Sequence, residues 1–238
     1  MKLSAPVYRL KRNARILARK SSIPLHQALD RIAAEEGFAS WSLLAVKLYA
    51  QAPAEKLYAR LAPGDLVLLG ARPGHGKTLL SLELAVQSMK AGHRAMFFTL
   101  EYTEAEMLDR FRAIGVAPAD YNALFGFDNA DAICADYIIG RLSDMPSGTL
   151  AVVDYLQLLD QRRETPELMA QVRTLQAFAR ARGLILVFIS QIDRAYDPIL
   201  KPCPDLADVR LPNALDLALF SKTCFLNNGE IRFQASGG

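Results

Sequence analysis

The residues best suited to chemistry are Lys77 and Thr78, which follow a glycine-rich turn after an all-apolar run at 66–69. Glycines such as Gly74 and Gly76 let the backbone approach a ligand closely, so successive N–H groups can converge on phosphate oxygens. The lysine ammonium can reach the outer phosphates of a nucleotide, and the threonine hydroxyl can bind Mg²⁺. The pattern predicts a phosphate-binding loop between a strand and the positive end of a helix.

The string G-x-x-x-x-G-K-[ST] is matched with one departure, because Ala71 stands at its first glycine. Ala71 lies at the strand end, farthest from the phosphates, and Gly70 just before it is expected to help the backbone approach the ligand. A chance glycine-rich turn is the alternative, but strand, loop, Lys-Thr and helix occur in the required order. The expected nucleotide-binding residues are Ala71, Arg72, Pro73, Gly74, His75, Gly76, Lys77 and Thr78.

A nucleoside triphosphatase also needs an acid for the metal and a base for the attacking water. Asp154 ends an apolar run, where it would hold Mg²⁺ together with Thr78. Many such enzymes place a glutamate directly after this aspartate, but Tyr155 stands there, so the base must come from elsewhere. Glu101, at the end of another apolar run, is the expected base. Its competing role is helix capping, since an acid just before Thr103 also favours the dipole of the following helix.

A third strand end offers the uncharged pair Ser190-Gln191. The Gln191 amide could distinguish a nucleoside triphosphate from a diphosphate and pass that signal into the following loop. A small-molecule kinase is a distant alternative for the whole site, because it would leave Glu101 and Ser190-Gln191 without a purpose.

The elements that must position these residues alternate between strands and helices along the chain. Apolar runs predict the strands, whereas capping signals and 3.6-residue periodicity predict the helices. Thr103 and Glu106 predict a capping box, and Gly183 predicts the end of the helix at 166–182. The prediction ends with a proline-rich loop at 193–213 and a closing hairpin. The two strands of the hairpin are the apolar residues 215–220 and residues 231–233. Strands are predicted at 66–70, 95–100, 150–153 and 184–190, and helices at 77–91, 103–115, 118–124, 130–143 and 166–182. This order predicts an α/β fold with a mainly parallel sheet, helices on both sides and ligands at the carboxyl ends of the strands.

The first 52 residues form a second predicted domain, a small basic helical unit of three helices, the third of which begins at Ser40. Seven of the 28 lysines and arginines lie within the first twenty residues, which contain no acid, although the whole chain carries only +3. Arg12 and Arg15 are therefore candidate nucleic-acid contacts, with a membrane surface or a merely solvated face as alternatives. Residues 53–238 form the predicted catalytic domain.

Composition favours an ordinary globular protein, with 51% hydrophobic and 22% charged residues. The three cysteines lie far apart and show no CxxC spacing, which favours reduced thiols over a disulfide or zinc framework. No apolar run approaches the length needed to cross a bilayer. The expectation is therefore a cytoplasmic protein without a membrane partner.

Four segments together resemble the RecA-like ATPases and, more closely, the C-terminal ATPase domain of DnaB-type replicative helicases. The resemblance covers about residues 57–235 and rests on 71–78, 97–101, 153–158 and 189–194. It implies a RecA-like fold, ATP and Mg²⁺ as cofactors, and a homo-oligomeric, hexameric ring acting on single-stranded DNA. It also implies that Glu101 is the catalytic glutamate and Gln191 the γ-phosphate sensor.

The resemblance implies further contacts near the C-terminus. In that family the loop after the sensor strand touches single-stranded DNA, which makes Arg194, Lys201 and Arg210 the candidates, against a plain surface loop. The family also carries a Lys and an Arg that reach the neighbouring subunit's ATP.

In this chain Lys222 is the candidate for that trans contact, but Cys224 stands where the arginine is expected. An arginine finger is typically worth about 10³ to 10⁵ in rate. Its absence keeps an alternative open: a nucleotide-switched regulatory or DNA-binding ATPase that does not unwind duplexes.

Overall fold

The computed structural model describes most of the 238 residues of the chain. The described ranges are 3–5, 7–41, 44, 53–121, 123–160, 165–197, 200–201, 203–211, 213–227 and 230–235. They divide into two compact units, with the boundary after Pro53. Within these ranges, no helix combines the length and apolar character needed to span a membrane.

The first unit contains two helices, α1 (Val7–Ser21) and α2 (Leu25–Glu35). Their small core consists of Leu10, Ala14, Ala28 and Ile32, which face one another at helical spacing. Trp41 packs at the edge of this core. The predicted third helix falls largely outside the described residues.

The second unit is built from strands and helices that alternate along the chain. Its first half contains α3 (Pro53–Tyr58), β1 (Leu66–Ala71), α4 (Lys77–Lys90), β2 (Ala95–Thr99), α5 (Glu104–Ala113), β3 (Phe125–Asp128) and α6 (Ala135–Leu142). Its second half contains β4 (Leu150–Asp154), α7 (Leu168–Arg182), β5 (Ile185–Gln191), β6 (Lys222–Asn227) and β7 (Glu230–Ala235).

The strands form one seven-stranded sheet in the order β3-β2-β4-β5-β1-β6-β7. All neighbouring pairs are parallel except β6 with β7, which are antiparallel. The central strands are buried along their whole length, as expected for a sheet covered on both faces. The predicted α/β fold with a mainly parallel sheet is therefore confirmed.

The strand residues alternate between two cores, one on each face of the sheet. On one face Leu66, Leu68 and Phe98 pack with residues of α6 and α7. On the other face Val67 and Phe97 pack with residues of α3, α4 and α5. Helices thus pack on both faces of the sheet. This packing holds the carboxyl ends of the strands at fixed relative positions.

Three parts of the predicted order are corrected by the structure. Strand β3 was not predicted, because it is short, only partly buried and contains Gly126 against the Met96 side chain. The predicted helix at 118–124 is only a 3-10 turn, Pro118–Tyr121.

The first hairpin strand also lies later than predicted, at β6 rather than 215–220. Residues Leu217–Leu219 form a 3-10 turn, because the Asp216 side chain accepts a hydrogen bond from the Ala218 N–H and caps it.

Candidate nucleotide-binding and hydrolysis site

The register of the sheet brings four strand ends to one edge. Ala71 at the end of β1 is paired with Gln191 at the end of β5. Asp154 at the end of β4 is paired with Thr99 at the end of β2, directly before Leu100 and Glu101. Parallel strands therefore carry the predicted loop, acid, base and sensor to the same edge of the sheet, where open α/β sheets bind ligands.

The loop after β1 is shaped by two glycines in the left-handed region, Gly74 at φ +80° and Gly76 at φ +88°. Gly76 is the N-cap of α4, so the unpaired N–H groups of the first helical turn lie directly after it. A Cβ at either glycine would meet nothing within 4 Å. The glycines are thus required by backbone conformation, and they leave open space beside the helix N-terminus for an anion.

Gly70 has a different role from the one predicted. It lies within β1, and a Cβ there would come within 2.7 Å of the Phe225 ring on β6. Gly70 therefore allows β1 and β6 to pack and does not form part of the phosphate cradle.

Lys77 and Thr78 form the first turn of α4 and are both nearly buried. The Thr78 hydroxyl donates a hydrogen bond to Asp154 Oδ2, with an Oγ1 to Oδ2 distance of 3.0 Å. This contact joins the loop to the end of β4, as the metal-binding prediction requires. The Asp154 carboxylate itself is fully buried.

The second oxygen of Asp154, Oδ1, is buried and finds no hydrogen-bond partner among the described residues. Burial, assisted by the negative charge of Glu101, raises the pKa of Asp154 to about 6. The Thr78 hydrogen bond and the positive charges of Lys77 and Arg110 act in the opposite direction on this pKa. A buried carboxylate with an unused oxygen is a group that a cation would complete.

These groups fit Mg²⁺, which prefers hard oxygen ligands and usually takes one or two from the protein, with water and substrate phosphates supplying the rest. The Thr78 hydroxyl and the Asp154 carboxylate are the two protein oxygens that would hold it. Within the described part of the chain, no three His, Cys, Asp or Glu side chains gather into a metal site of their own.

Glu101 is exposed and follows β2, where its backbone N–H donates to Thr99 Oγ1 at 3.0 Å. The cap of α5 is formed by other residues. Thr103 and Glu106 make a reciprocal capping box, as predicted, and Thr103 N–H donates to Glu106 Oε2 at 2.9 Å. Glu101 is therefore not needed as the cap, and its carboxylate is free of that competing role.

Gln191 ends β5 beside the loop and is half-buried. Its backbone carbonyl accepts a hydrogen bond from the Arg210 N–H at 2.8 Å, and Gln157 Nε2 donates to the Arg210 carbonyl at 2.8 Å. An isolated bridge pairs Ile192 with Val209. The segment that follows β5 is thus attached to the edge of the sheet that carries the candidate site.

Arg110 is a candidate site residue that sequence reasoning missed. Its guanidinium carbon lies 4.0 Å from the centre of the Tyr102 ring, and its Nε is buried with no partner within the described ranges. Its charge helps to lower the pKa of Asp154. The spacing to the buried residues Met107 and Phe111 places Arg110 at the edge of the buried face of α5, which a helical projection would have revealed.

Lys222 is not brought to this site. It begins β6, where it is paired with Val67 near the start of β1, at the opposite edge of the sheet. Its ammonium forms an ion pair with Asp65, and the two side chains are 15% and 11% exposed. Lys222 therefore does not line the site of its own chain, and its predicted action on a neighbouring subunit stays a prediction.

The predicted DNA contacts have different environments. Lys201 Nζ lies 2.7 Å from Asp205 and 2.5 Å from Asp208, so its charge is already neutralised. Arg194 and Arg210 are exposed on the loop after β5. Arg12 and Arg15 are exposed on α1 of the first unit.

The chain is similar in sequence and in fold to several known proteins. The DnaB-like helicase C terminal domain family matches residues 54–117, which include the loop, Glu101 and Arg110. The replicative DNA helicase DnaB of Leifsonia xyli subsp. xyli is 23% identical over 187 residues, which is 66% of this chain and 41% of that protein. The DNA repair protein RadA of Salmonella typhimurium is 24% identical over 155 residues, 61% of this chain and 32% of that protein.

This chain therefore spans less than half the length of the curated relatives it matches. Among solved structures, one ATPase domain superposes with a TM-score of 0.58 at 16% identity, covering 79% of this chain and 83% of that one. A DnaB-like replicative helicase gives a TM-score of 0.58 at 17% identity, covering 91% of this chain and 66% of that one. The fold of the second unit is thus that of the RecA-like ATPase domains.

Proposed function

We propose that this chain, which carries a DnaB-type helicase C-terminal domain, binds and hydrolyses ATP and uses the cycle to move on single-stranded DNA. The observation that carries the ATPase part is the pairing of Thr78 with Asp154. A buried carboxylate oxygen, without a partner among the described residues, lies beside an open phosphate cradle. A purely structural aspartate in this position would have both oxygens satisfied.

In the proposed reaction the loop N–H groups and Lys77 hold the β- and γ-phosphates. Thr78 and Asp154 would hold Mg²⁺, which would supply positive charge to neutralise the phosphate oxygens. Glu101 aligns a water molecule and accepts its proton as the water oxygen bonds to the γ-phosphorus. The bond from that phosphorus to the β–γ bridging oxygen breaks, which releases ADP and phosphate.

Gln191 is the proposed sensor of the γ-phosphate. Its backbone carbonyl accepts a hydrogen bond from the Arg210 N–H. A movement of Gln191 when the γ-phosphate is lost would therefore reach the loop that carries Arg194 and Arg210. These two arginines are the proposed contacts to the DNA phosphates, and Lys201 is a poorer candidate because of its two acidic partners. A homo-hexameric ring, with ATP between subunits, is proposed from the relationship to DnaB-type domains.

A second function is favoured by the environment of the predicted trans residues. Lys222 is held by Asp65, and Cys224, at the place of the expected arginine, is fully buried. Neither side chain extends freely into solvent, as a contact with a neighbouring subunit would require. Slow, switch-like hydrolysis without duplex unwinding is the corresponding alternative.

Three measurements test these proposals. ATP turnover is measured with and without single-stranded DNA, strand displacement is measured on a forked duplex, and mass in solution is measured by sedimentation with ATP. The motor proposal expects stimulation by DNA, unwinding and a ring-sized particle. ATP binding and turnover without DNA stimulation or unwinding would support the switch, and absence of ATP binding would refute both.

A further inference from the structure

The first helix, α1, has two chemically distinct faces. Leu10 and Ala14 are buried against Ala28 and Ile32 of α2. At 3.6 residues per turn the cations fall on one continuous arc of about half the circumference, on the other side of the helix. We call this surface the basic face, and it consists of Arg9, Lys11, Arg12, Arg15, Arg19 and Lys20. All of these residues are exposed except Lys11, which is partly buried.

Within the described residues, the basic face lacks neutralising partners. The first turn of α1 contains no acidic residue, and none of the ion pairs found in the described ranges involves a cation of this helix. Glu36, just after α2, instead accepts a hydrogen bond from the Ser4 N–H at 2.8 Å. The positive charges therefore remain directed at solvent.

This arrangement is unfavourable for an isolated helix. Arg12, Arg15 and Arg19 are spaced three and four residues apart, so like charges lie next to one another. Arg9 lies near the N-terminus, where the helix dipole already presents positive charge. An external polyanion would relieve this repulsion along the whole length of the face.

We propose that the basic face of α1 binds the phosphate backbone of nucleic acid, independently of nucleotide and without reading sequence. From Arg9 to Lys20 the helix advances about 16 Å, and duplex DNA carries about one charge per 1.7 Å of its axis. Several phosphates therefore lie within reach of the cations at once. The side chains are spread along the helix and present charge rather than a shaped pocket, as sequence-independent backbone contacts require.

A membrane surface is the less suitable anion. An amphipathic helix that lies in a bilayer interface inserts its apolar face among the acyl chains. Here that face is covered by α2, and among the described side chains of α1 Ile16 is the one large apolar group that is notably exposed, at 54%. The binding energy would have to come from charge alone, which matches nucleic acid better.

This inference goes beyond the proposed ATPase, because the basic face belongs to the first unit and the nucleotide residues to the second. The chain would then have two candidate contacts to nucleic acid. One is the loop after β5, in which Lys201 is neutralised by its acidic partners, and the other is the basic face, which stays positively charged. Nucleic acid would then be retained by the chain through every stage of an ATP cycle.

The test is fluorescence anisotropy with the full chain, without nucleotide, on a labelled random-sequence duplex and on its separated strand. The double variant Arg12→Gln/Arg15→Gln should bind at least about tenfold more weakly near physiological salt. The slope of log K against log salt should fall in magnitude by about 0.9 per removed cation on the duplex and about 0.7 on the single strand. The variant Arg12→Lys/Arg15→Lys should retain most of the affinity, because phosphate contacts need only the charge.

The matched control is Arg173→Gln/Arg180→Gln, which removes two exposed cations from α7 in the second unit. It should leave affinity within about twofold. Equal losses in both glutamine variants would show an effect of net charge and overturn the proposal, as would unchanged binding by the α1 variant. Binding of the chain to vesicles of equal parts phosphatidylserine and phosphatidylcholine, with none to DNA, would assign the face to membranes instead. Circular dichroism checks that each variant keeps its helical content.

Discussion

Two buried aspartates, Asp65 and Asp154, lie at opposite ends of the strands of one sheet and differ in how many of their oxygens have partners. At the amino edge Asp65 receives hydrogen bonds from the Ala62 N–H and the Ser221 hydroxyl, at 2.6 and 2.8 Å, and pairs with Lys222. At the carboxyl edge Asp154 receives a hydrogen bond from Thr78, and its second oxygen has no partner among the described residues. The first arrangement is a finished structural contact, whereas the second leaves a carboxylate oxygen that the proposed Mg²⁺ would bind.

Residue type alone does not distinguish an aspartate in a structural contact from one suited to hold a ligand. Both aspartates are little exposed, and both lie next to strands of the central sheet. They differ in how many carboxylate oxygens have a hydrogen-bond partner: both in Asp65, and one in Asp154 among the described residues.

The largest effect is expected for Glu101→Gln at the carboxyl edge. Loss of the base should lower ATP turnover by about 10² to 10⁴, while nucleotide affinity is kept. Turnover is measured by phosphate release and affinity with a fluorescent nucleotide. Glu104→Gln, at an exposed position in the first turn of α5, is the matched control. A Glu101→Gln chain with normal turnover would remove Glu101 from the mechanism.

At the amino edge, Lys222→Met should destabilise the fold by about 3 kcal/mol, because it leaves Asp65 as a buried charge without its cation. Turnover per folded molecule should not change. Urea unfolding and phosphate release measure the two quantities on one sample. Lost turnover with normal stability would instead place Lys222 at the ATP of a neighbouring subunit.

Removing the buried carboxylate should have the opposite effect on stability. Asp154→Asn should make the nucleotide-free chain more stable by about 2 kcal/mol at neutral pH, because burial raises the pKa of this group to about 6 and disfavours its ionised form. The same variant should lose Mg²⁺-dependent ATP binding. A thermal melt with and without Mg²⁺ and ATP reports both effects. A less stable Asp154→Asn chain would contradict the assignment of the carboxylate as an unsatisfied group.

The pH dependence should be the mildest effect. The folded-state pKa of Asp154 is above its ordinary value of 3.8, so its contribution to stability falls as pH rises from there to about 6. Affinity for Mg²⁺ and ATP should rise over that interval, as the carboxylate ionises, and level off above about pH 6. Titration with a fluorescent nucleotide across this pH range measures the midpoint.

Arg110 allows a further test of this pH dependence. Arg110→Met should move the affinity midpoint to higher pH, because the Arg110 charge helps to lower the pKa of Asp154. Arg112→Met, which removes an exposed partner of Asp109 on the same helix, should leave it in place. Identical midpoints in the two variants would show that Arg110 does not act on the site.

Local features of the chain were predictable because their causes lie within a few residues. The capping box of Thr103 and Glu106 was predicted from their spacing, and Gly183 was predicted to end α7, where it adopts φ +66°. The loop at Lys77 and the alternation of strands and helices follow from the same kind of short-range pattern. The α/β fold was foreseen, but β3, a short edge strand with a weak apolar signal, was missed, and β6 was placed too early in the chain.

The sequence by itself determined a phosphate loop, its order within an α/β fold and the strand ends that carry acidic or amide groups. Only the tertiary structure decided which buried carboxylates have a hydrogen-bond partner at both oxygens. The partners of Asp65 and Asp154 come from positions up to 157 residues away in the chain, and strand register, rather than local spacing, brings them together. The same long-range packing placed Arg110 near Asp154 and Lys222 beside Asp65. Neither relation is encoded in neighbouring residues.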